Sequence, residues 1–523
     1  MQIIIPMSGT GRRFVNAGYT KIKPLIEVDG RPMIEHVIDL FSEQDTFLFI
    51  CNQDHLEHTD LENILKKKEP NGKIIAIPPH KKGPVFAVMQ ADGLIDDEDE
   101  AIVNYCDFGK WWSYQSFLKK VRDKKADGAI TAYRGFHPHM LGTTNYAFIK
   151  EKDQWFEAIQ EKEPFTDNRM HEFASDGTYY FKTGAMVKKY FQRLLENGPA
   201  LNGEYYVSLV YNYLRQDGLS VWVDEIEHML QWGEPRDLQL YQQWSDYFSK
   251  YSDAPATSKQ KKIHDINLIP MAGEGERFVK EGYLEPKPLI LIGDEPMIVK
   301  TIRSLPGASE WRFVCRQDHL VNHHLGQRIS PHADNASFID VSARTEGQAC
   351  SCALGLTQED RNRSLFIGAC DHGVIWNEGT YQSLIEDPAV DVLVWTFRNH
   401  PSSQQNPQMY GWCETDGNNT ISRVSVKVPI SKDPSSDHAV IGAFYFRKAA
   451  FFMDALKRLI DQNIRVNNEF YVDSCINECI KDGCHVEVFE ADHYVCWGTP
   501  DDVRTYQYWR QYFEKSGRRN LPV

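Results

Sequence analysis

Short apolar runs alternate along the chain with stretches whose apolar residues recur every three to four positions. Gln2–Met7 (QIIIPM) is an apolar run ended by a glycine loop, the pattern of a buried strand. Pro32–Phe41 places Met33, Ile34, Val37, Ile38 and Phe41 on one helical stripe. Thr46–Cys51 and Ala101–Tyr105 read as a second and a third strand, and Trp112–Val121 and Met186–Leu195 as helices. Strands alternating with helices predict an α/β fold of three layers, a mainly parallel sheet covered on both faces. In such sheets ligands bind outside the carboxyl ends of the strands. The glycine loop after the first strand and the Asp that follows Ile102–Cys106 would both lie there.

The pattern then repeats. Residues 4–14 (IIPMSGTGRRF) return as 268–278 (LIPMAGEGERF), with Pro6 and Pro270 standing 264 positions apart. The same offset relates Lys23-Pro24-Leu25 to Lys287-Pro288-Leu289, Gly83 to Gly347, Cys106-Asp107 to Cys370-Asp371 and Tyr146 to Tyr410. Beyond one insertion it becomes 265, relating Lys162 to Lys427, Glu204 to Glu469 and Trp232-Gly233 to Trp497-Gly498. Self-similarity on this scale predicts two copies of one domain. The expected boundaries are 1–250 for the first copy, 251–265 for a polar linker, 266–515 for the second copy and 516–523 for a frayed tail.

Composition narrows the function. The formal net charge of −15 disfavours a nucleic acid polymer as partner, because phosphate neutralisation needs a basic surface. No apolar run reaches the roughly 18–20 residues of a membrane helix, so no membrane insertion is expected. The start has no basic segment before its apolar run, and eleven cysteines spread thinly over 523 residues suit reduced thiols. The expected location is the cytoplasm. Cys51, Cys315, Cys106 and Cys370 read as small buried residues inside strands. Cys350, Cys352, Cys475, Cys479 and Cys484 lack the paired knuckles of a zinc site.

Chemistry concentrates at the repeated positions. Gly9 and Gly11, with Gly273 and Gly275, let backbone N–H groups approach a phosphate chain, and Arg13 and Arg277 add a planar fork for its oxygens. Lys23 and Lys287 each precede a proline. The loop is neither a Walker A motif nor a dinucleotide fingerprint: no Gly-Lys-Ser/Thr closes it and the third glycine is missing. Asp107 and Asp371 are lone carboxylates at strand ends, the setting in which Mg²⁺ takes one carboxylate plus substrate phosphates. Lys162 and Lys427 recur just before a proline. Glu204 and Glu469, each flanked by aromatic residues, suit sugar hydroxyls.

Taken together, G-x-G-x-R, P-K-P-L, the base segment around Gly83 and Gly347, the strand-end Asp, the lysine before proline, N-x-E and a closing W-G make each copy resemble a sugar-phosphate nucleotidylyltransferase of the NTP-transferase family. Surface- or capsule-polysaccharide members are the ones it looks like. The resemblance implies a Rossmann-like fold of the nucleotide-diphospho-sugar transferase type and a reaction of an NTP with a sugar 1-phosphate, giving an NDP-sugar and pyrophosphate. It implies that Gly9, Gly11 and Arg13 hold the triphosphate, that Lys23 and Lys162 neutralise phosphates, that Asp107 holds Mg²⁺ and that Gly83 lies near the base. The same roles pass to Gly273, Gly275, Arg277, Lys287, Lys427, Asp371 and Gly347. The chain departs from the pattern at Gln231 and Cys496, where a second metal-binding Asp is usual, and at Glu234 in the closing motif. Glu274 and Glu276 in the second phosphate loop would repel a triphosphate unless they point to solvent. Alternatives are one catalytic and one regulatory nucleotide-binding copy, a non-sugar phosphate acceptor, or a glycosyltransferase, which the absence of D-x-D at either strand end disfavours. Base, sugar and oligomeric state are left open.

Overall fold

The run Gln2–Met7 forms a strand, β1, buried along its whole length. This computed structural model describes residues 1–142, 144–250 and 261–517. The chain separates into two compact units, Met1–Lys250 with Gln511–Val523, and Tyr251–Arg510. Residues 251–260 of the expected linker and 518–523 of the expected tail lie outside the described residues. The last residues of that linker are already strand, since Lys262–Met271 is extended.

In the first unit the main sheet adds β2 (Thr46–Asn52), β3 (Lys73–Ile77), β4 (Ala101–Asn104), β5 (Gly128–Tyr133), β6 (Ala147–Lys152), β7 (Trp155–Glu161), β8 (Phe173–Phe181) and β9 (Val221–Glu225). Their order is β3-β2-β1-β4-β8-β5-β9-β7-β6. β3, β2, β1 and β4 are parallel neighbours, and so are β5 and β9. Only β8 and β7 run against the rest. Side chains of a strand alternate between faces. Ile4 accordingly packs with Val85, Val187 and Val210 from the helices Gly83–Met89, Gly184–Asn197 and Val207–Gln216. Ile3 and Ile5 pack on the other face with Ile34, Leu65 and Phe117, from Met33–Ile38, Leu61–Lys68 and Tyr114–Asp123. The unit is therefore a three-layer, Rossmann-like α/β domain.

The second unit contains β10 (Lys262–Met271), β11 (Gly307–Arg316), β12 (Ala336–Val341), β13 (Leu365–Ile367), β14 (Val392–Phe397), β15 (Gly411–Thr415), β16 (Ile421–Val426), β17 (His438–Phe446) and β18 (Val486–Glu490). The order is β12-β11-β10-β13-β17-β14-β18, with β15 joined to β16 and β17. Here β17 and β16 are the strands that oppose the rest. Leu268 and Ile269 face separate apolar layers, as Ile4 and Ile5 do in the first unit.

One detail differs from expectation and another was not foreseen. Cys106 and Cys370 stand past the ends of β4 and β13 rather than inside them, in the turns that carry Asp107 and Asp371. A two-stranded ribbon then follows each of these aspartates: Phe108–Trp111 pairs with His228–Gln231, and His372–Ile375 with His493–Cys496. Among the described residues no helix is long and apolar enough to cross a membrane.

Candidate functional site

The chemical residues of the first unit sit on loops and on the first turns of short helices that surround one cleft. Gly9, Gly11, Arg13, Lys23, Gly83, Asp107, Lys162 and Glu204 all line one cleft of about 520 Å³. In the second unit Gly273, Gly275, Lys287, Gly347, Asp371 and Glu469 line a cavity of about 580 Å³. An adjoining cavity of about 590 Å³ shares several of these residues and adds Arg277 and Lys427.

The glycine loop is shaped by one backbone requirement. Gly11 and Gly275 adopt φ of 61° and 64°, the left-handed region that side chains disfavour, and each starts a short helix. A Cβ on either would also meet the Cβ of Lys23 at 3.4 Å or of Lys287 at 3.2 Å. The missing side chain thus lets each lysine lie against the loop. Lys23 Nζ pairs with Asp107, and Lys287 Nζ with Asp371. Burial works against the charge on Lys287, but the facing carboxylate outweighs it and raises the lysine to about 12. Burial likewise opposes charge on Asp371, and Lys287 holds it below the usual carboxylate range.

Lys162 and Lys427 share an unusual backbone. Both have φ of 64°, a region few residues other than glycine enter and one that tends to mark functional sites. The amide of Lys162 donates to the Tyr146 carbonyl at 2.8 Å, and that of Lys427 to Tyr410 at 3.0 Å. Lys162 Nζ donates to Tyr206 Oη at 3.1 Å, while Lys427 Nζ donates to the Met409 carbonyl. Burial pulls Lys427 below its ordinary value. Glu204 accepts from Tyr206 Oη, and Glu469 from Arg344 at 3.1 Å. Gly83 and Gly347 pack on the turns that hold these glutamates: a Cβ there would stand 2.7 Å from the Tyr205 amide or 2.5 Å from the Phe470 amide.

The departures from the family pattern have structural consequences. Glu234 forms an ion pair with Arg13. Arg277 has no ion pair among the described residues. Glu274 and Glu276 are exposed but line the second unit's cavity, and each is paired, with Arg316 at 3.4 Å and Lys280 at 3.7 Å. Their charge is therefore partly neutralised at the rim of the cleft.

The donor sets available to a cation differ between the units. A Cβ on Gly233 would lie 2.9 Å from Asp107 Oδ2 and 3.2 Å from Gln231 Oε1, so two oxygens converge beside this glycine. That pair, completed by substrate phosphates, fits Mg²⁺, a hard cation that takes oxygen ligands. Beside Gly498 the converging atoms are Asp371 Oδ2 at 3.3 Å, Cys496 Sγ at 3.4 Å and, farther off at 3.9 Å, Asp502 Oδ2, to which the thiol donates. Burial pushes that thiol well above its usual range, and a neutral thiol is a poor ligand for a hard cation. No cluster of three or more His, Cys, Asp or Glu suited to a metal occurs among the described residues.

Two carboxylates that sequence reasoning did not single out also line these clefts. Glu161, the last residue of β7, accepts a hydrogen bond from Ser208 Oγ. Asp473, in the first turn of the helix Val472–Lys481, lies buried beside Lys427. Burial raises Asp473 to about 6 against the pull of Lys427. The signal was available in the repeat: at the 265-residue offset Glu161 matches Val426 and Ser208 matches Asp473.

Comparison with solved structures finds partial likenesses. A nucleoside-diphosphate-sugar pyrophosphorylase from Vibrio cholerae RC9 is 22% identical over 46% of this chain and 98% of its own, with a TM-score of 0.38. A UDP-glucose pyrophosphorylase from Acinetobacter baumanii is 17% identical over 48% of this chain and 94% of its own, with a TM-score of 0.37. A UDP-glucose pyrophosphorylase complexed with UDP-glucose is 15% identical over 48% of this chain and 98% of its own, with a TM-score of 0.38. No curated protein sequence matches the chain. Residues 2–212, which hold every candidate residue of the first cleft, match the family model described as nucleotidyl transferase.

Proposed function

We propose that this protein is a nucleotidyltransferase with two clefts, each joining an NTP to a sugar 1-phosphate to give an NDP-sugar and pyrophosphate, in the service of surface polysaccharide synthesis. The observation that carries this reading is the repeated placement of Arg13, Lys23, Asp107 and Lys162, and of Arg277, Lys287, Asp371 and Lys427, around one glycine loop per unit. The attacking phosphate oxygen is already an anion and needs no general base. Catalysis then reduces to positioning and charge neutralisation. The loop and Arg13 hold the β- and γ-phosphates that leave as pyrophosphate. Lys23, shared between Asp107 and an incoming phosphate, neutralises charge at the α-phosphate. Lys162 draws the attacking phosphate toward it, and Glu204 accepts from a sugar hydroxyl. The second unit assigns the same tasks to Arg277, Lys287, Lys427 and Glu469.

Mg²⁺, held by Asp107 with Gln231 or by Asp371, would supply further neutralisation of the triphosphate. A second reading, in which the second unit binds nucleotide or NDP-sugar as a regulator, is favoured by Cys496 standing where the first unit offers an oxygen. Pyrophosphate release by the full chain, across a panel of NTPs and sugar phosphates, tests both readings when repeated with Asp107→Asn and with Asp371→Asn. Activity lost wholly with the first variant and untouched by the second supports the regulatory reading. No release with any pair of substrates rejects nucleotidyl transfer.

A further inference from the structure

Each cleft places a carboxylate beside the equivalent lysine, half-buried Glu161 in the first and buried Asp473 in the second, but the two build it from different elements. In the first unit Glu161 precedes Lys162 at the end of β7, and its cross-strand neighbour on β6 is Ala147. Its carboxylate is fixed by Ser208 Oγ from the helix behind it. In the second unit the residue before Lys427 is Val426, opposite Gly411 on β15, so the strand wall carries no charge there. The carboxylate has moved to the helix: Asp473 stands at the position of Ser208. Gly411 makes this relocation sterically feasible, because a Cβ at 411 would lie 2.5 Å from Asp473 Oδ2. Glu161, Ser208 and Ala147 in one unit have thus become Val426, Asp473 and Gly411 in the other, three changes that make sense only together. No side chain among the described residues hydrogen-bonds to Asp473, although it lines the cleft and is only 8% exposed. Its own backbone amide bonds to it, and a buried carboxylate so thinly satisfied gains from a ligand group that donates to it.

We propose that Asp473 is the specificity-determining carboxylate of the second cleft, accepting hydrogen bonds from a hydroxyl of the acceptor phosphate that differs from the one Glu161 reads in the first, so that the two units take different acceptors. The inference rests on the nucleotidyl-transfer reading for its chemistry, but its core claim is one of binding. A carboxylate accepts from hydroxyl donors with directional preference. Moving its backbone origin from the strand end to the helix wall changes the direction from which it approaches the acceptor, and so which hydroxyl it can reach. An acceptor that does not donate to Asp473 leaves that buried carboxylate without a ligand partner, and such groups discriminate strongly.

The test uses the full chain carrying Asp107→Asn, so that turnover reports the second unit. The probes are aldose 1-phosphates (glucose, galactose and mannose) and alditol phosphates (glycerol 3-phosphate and ribitol 5-phosphate), each with ATP, CTP, GTP, UTP and dTTP. Asp473→Asn and Asp473→Ser are expected to raise KM for the preferred acceptor by roughly 10–100-fold, the loss of one hydrogen bond to a charged group, with KM for the NTP unchanged. The combined variant Gly411→Ala/Val426→Glu/Asp473→Ser is expected to shift the acceptor preference toward that of the first unit. Calorimetric binding of the same acceptor phosphates, with thermal melting as the check on folding, separates the two claims. Binding that weakens in Asp473→Asn without any pyrophosphate release upholds the inference and rejects only nucleotidyl transfer. Acceptor KM and binding that stay within about twofold in a folded Asp473→Asn protein, a parallel loss for NTP and acceptor, or no binding of any acceptor by the parent chain would each overturn it.

Discussion

Gly411 makes the room in which Asp473 lies: a Cβ at position 411 would stand 2.5 Å from Oδ2 of the aspartate. Gly411 is an ordinary strand residue without positive φ, so its reason to be glycine is space and not backbone freedom. Gly411→Ala is therefore expected to cost about 1–3 kcal/mol of stability in the second unit, the usual cost of overpacking. Adding Asp473→Ser should recover most of that loss. Urea melts of the parent, the two single variants and the double variant give the coupling; additive effects would show that the two positions do not share this space.

The glycine loops predict a graded response. Gly11→Ala and Gly275→Ala force a side chain into the left-handed region and should each cost about 1–2 kcal/mol. Gly9 has no positive φ and no atom within 4 Å of a Cβ. Gly9→Ala should stay within about 0.5 kcal/mol of the parent. Equal losses at Gly9 and Gly11 would remove backbone conformation as the explanation.

Magnesium dependence should differ between the clefts. With Asp107→Asn and Asp371→Asn combined, pyrophosphate release is expected to vanish while far-ultraviolet circular dichroism stays unchanged. Among the single variants, the one that keeps the first cleft should reach half-maximal rate at the lower Mg²⁺ concentration, because Gln231 offers an oxygen where the second cleft offers Cys496. Full activity in the doubly substituted chain, or in excess chelator, counts against the metal assignment.

Arg13→Ala and Arg277→Ala each remove a phosphate fork from one cleft. The expected loss is on the order of 2–4 kcal/mol of transition-state stabilisation in that cleft, by analogy with removing one oxyanion donor. If the clefts divide the acceptors between them, each single variant loses a different part of the substrate range. An identical range at reduced rate in both would make the units redundant.

Stability should also report Asp473 through pH. Burial disfavours its charged form and pushes it up to about 6, from an ordinary carboxylate value of 3.8. The folded protein then holds a proton that the unfolded chain has released, so this group favours folding at low pH and loses that contribution as pH rises through about 6. Asp473→Asn should consequently melt higher than the parent at pH 7.5, by a margin that shrinks toward pH 4. Thermal melts at pH 4, 5, 6 and 7.5 measure it, and a margin independent of pH would place the aspartate outside the buried wall.

Much of this molecule was legible in the chain itself. The alternation of Ile3, Ile4 and Ile5 between two apolar layers follows from strand geometry, and the period of Met33, Ile34, Val37 and Ile38 specifies the helix that covers one face. Repetition drew attention to Arg13, Lys23, Asp107 and Lys162, because chemistry that must occur twice is spelled twice at a constant offset. Tertiary structure alone decided how charges are shared: that Glu234 engages Arg13, that Lys23 pairs with Asp107, and that Arg316 offsets Glu274. These partners come from different elements and have no fixed spacing in the chain. It also decided what the exchange of Glu161 for Asp473, visible at the 265-residue offset, means in space. One lies at a strand end and the other on a helix, at different positions in the repeat. Only the packing of β7 and β15 against the helices behind them brings each carboxylate to the equivalent lysine, Lys162 or Lys427.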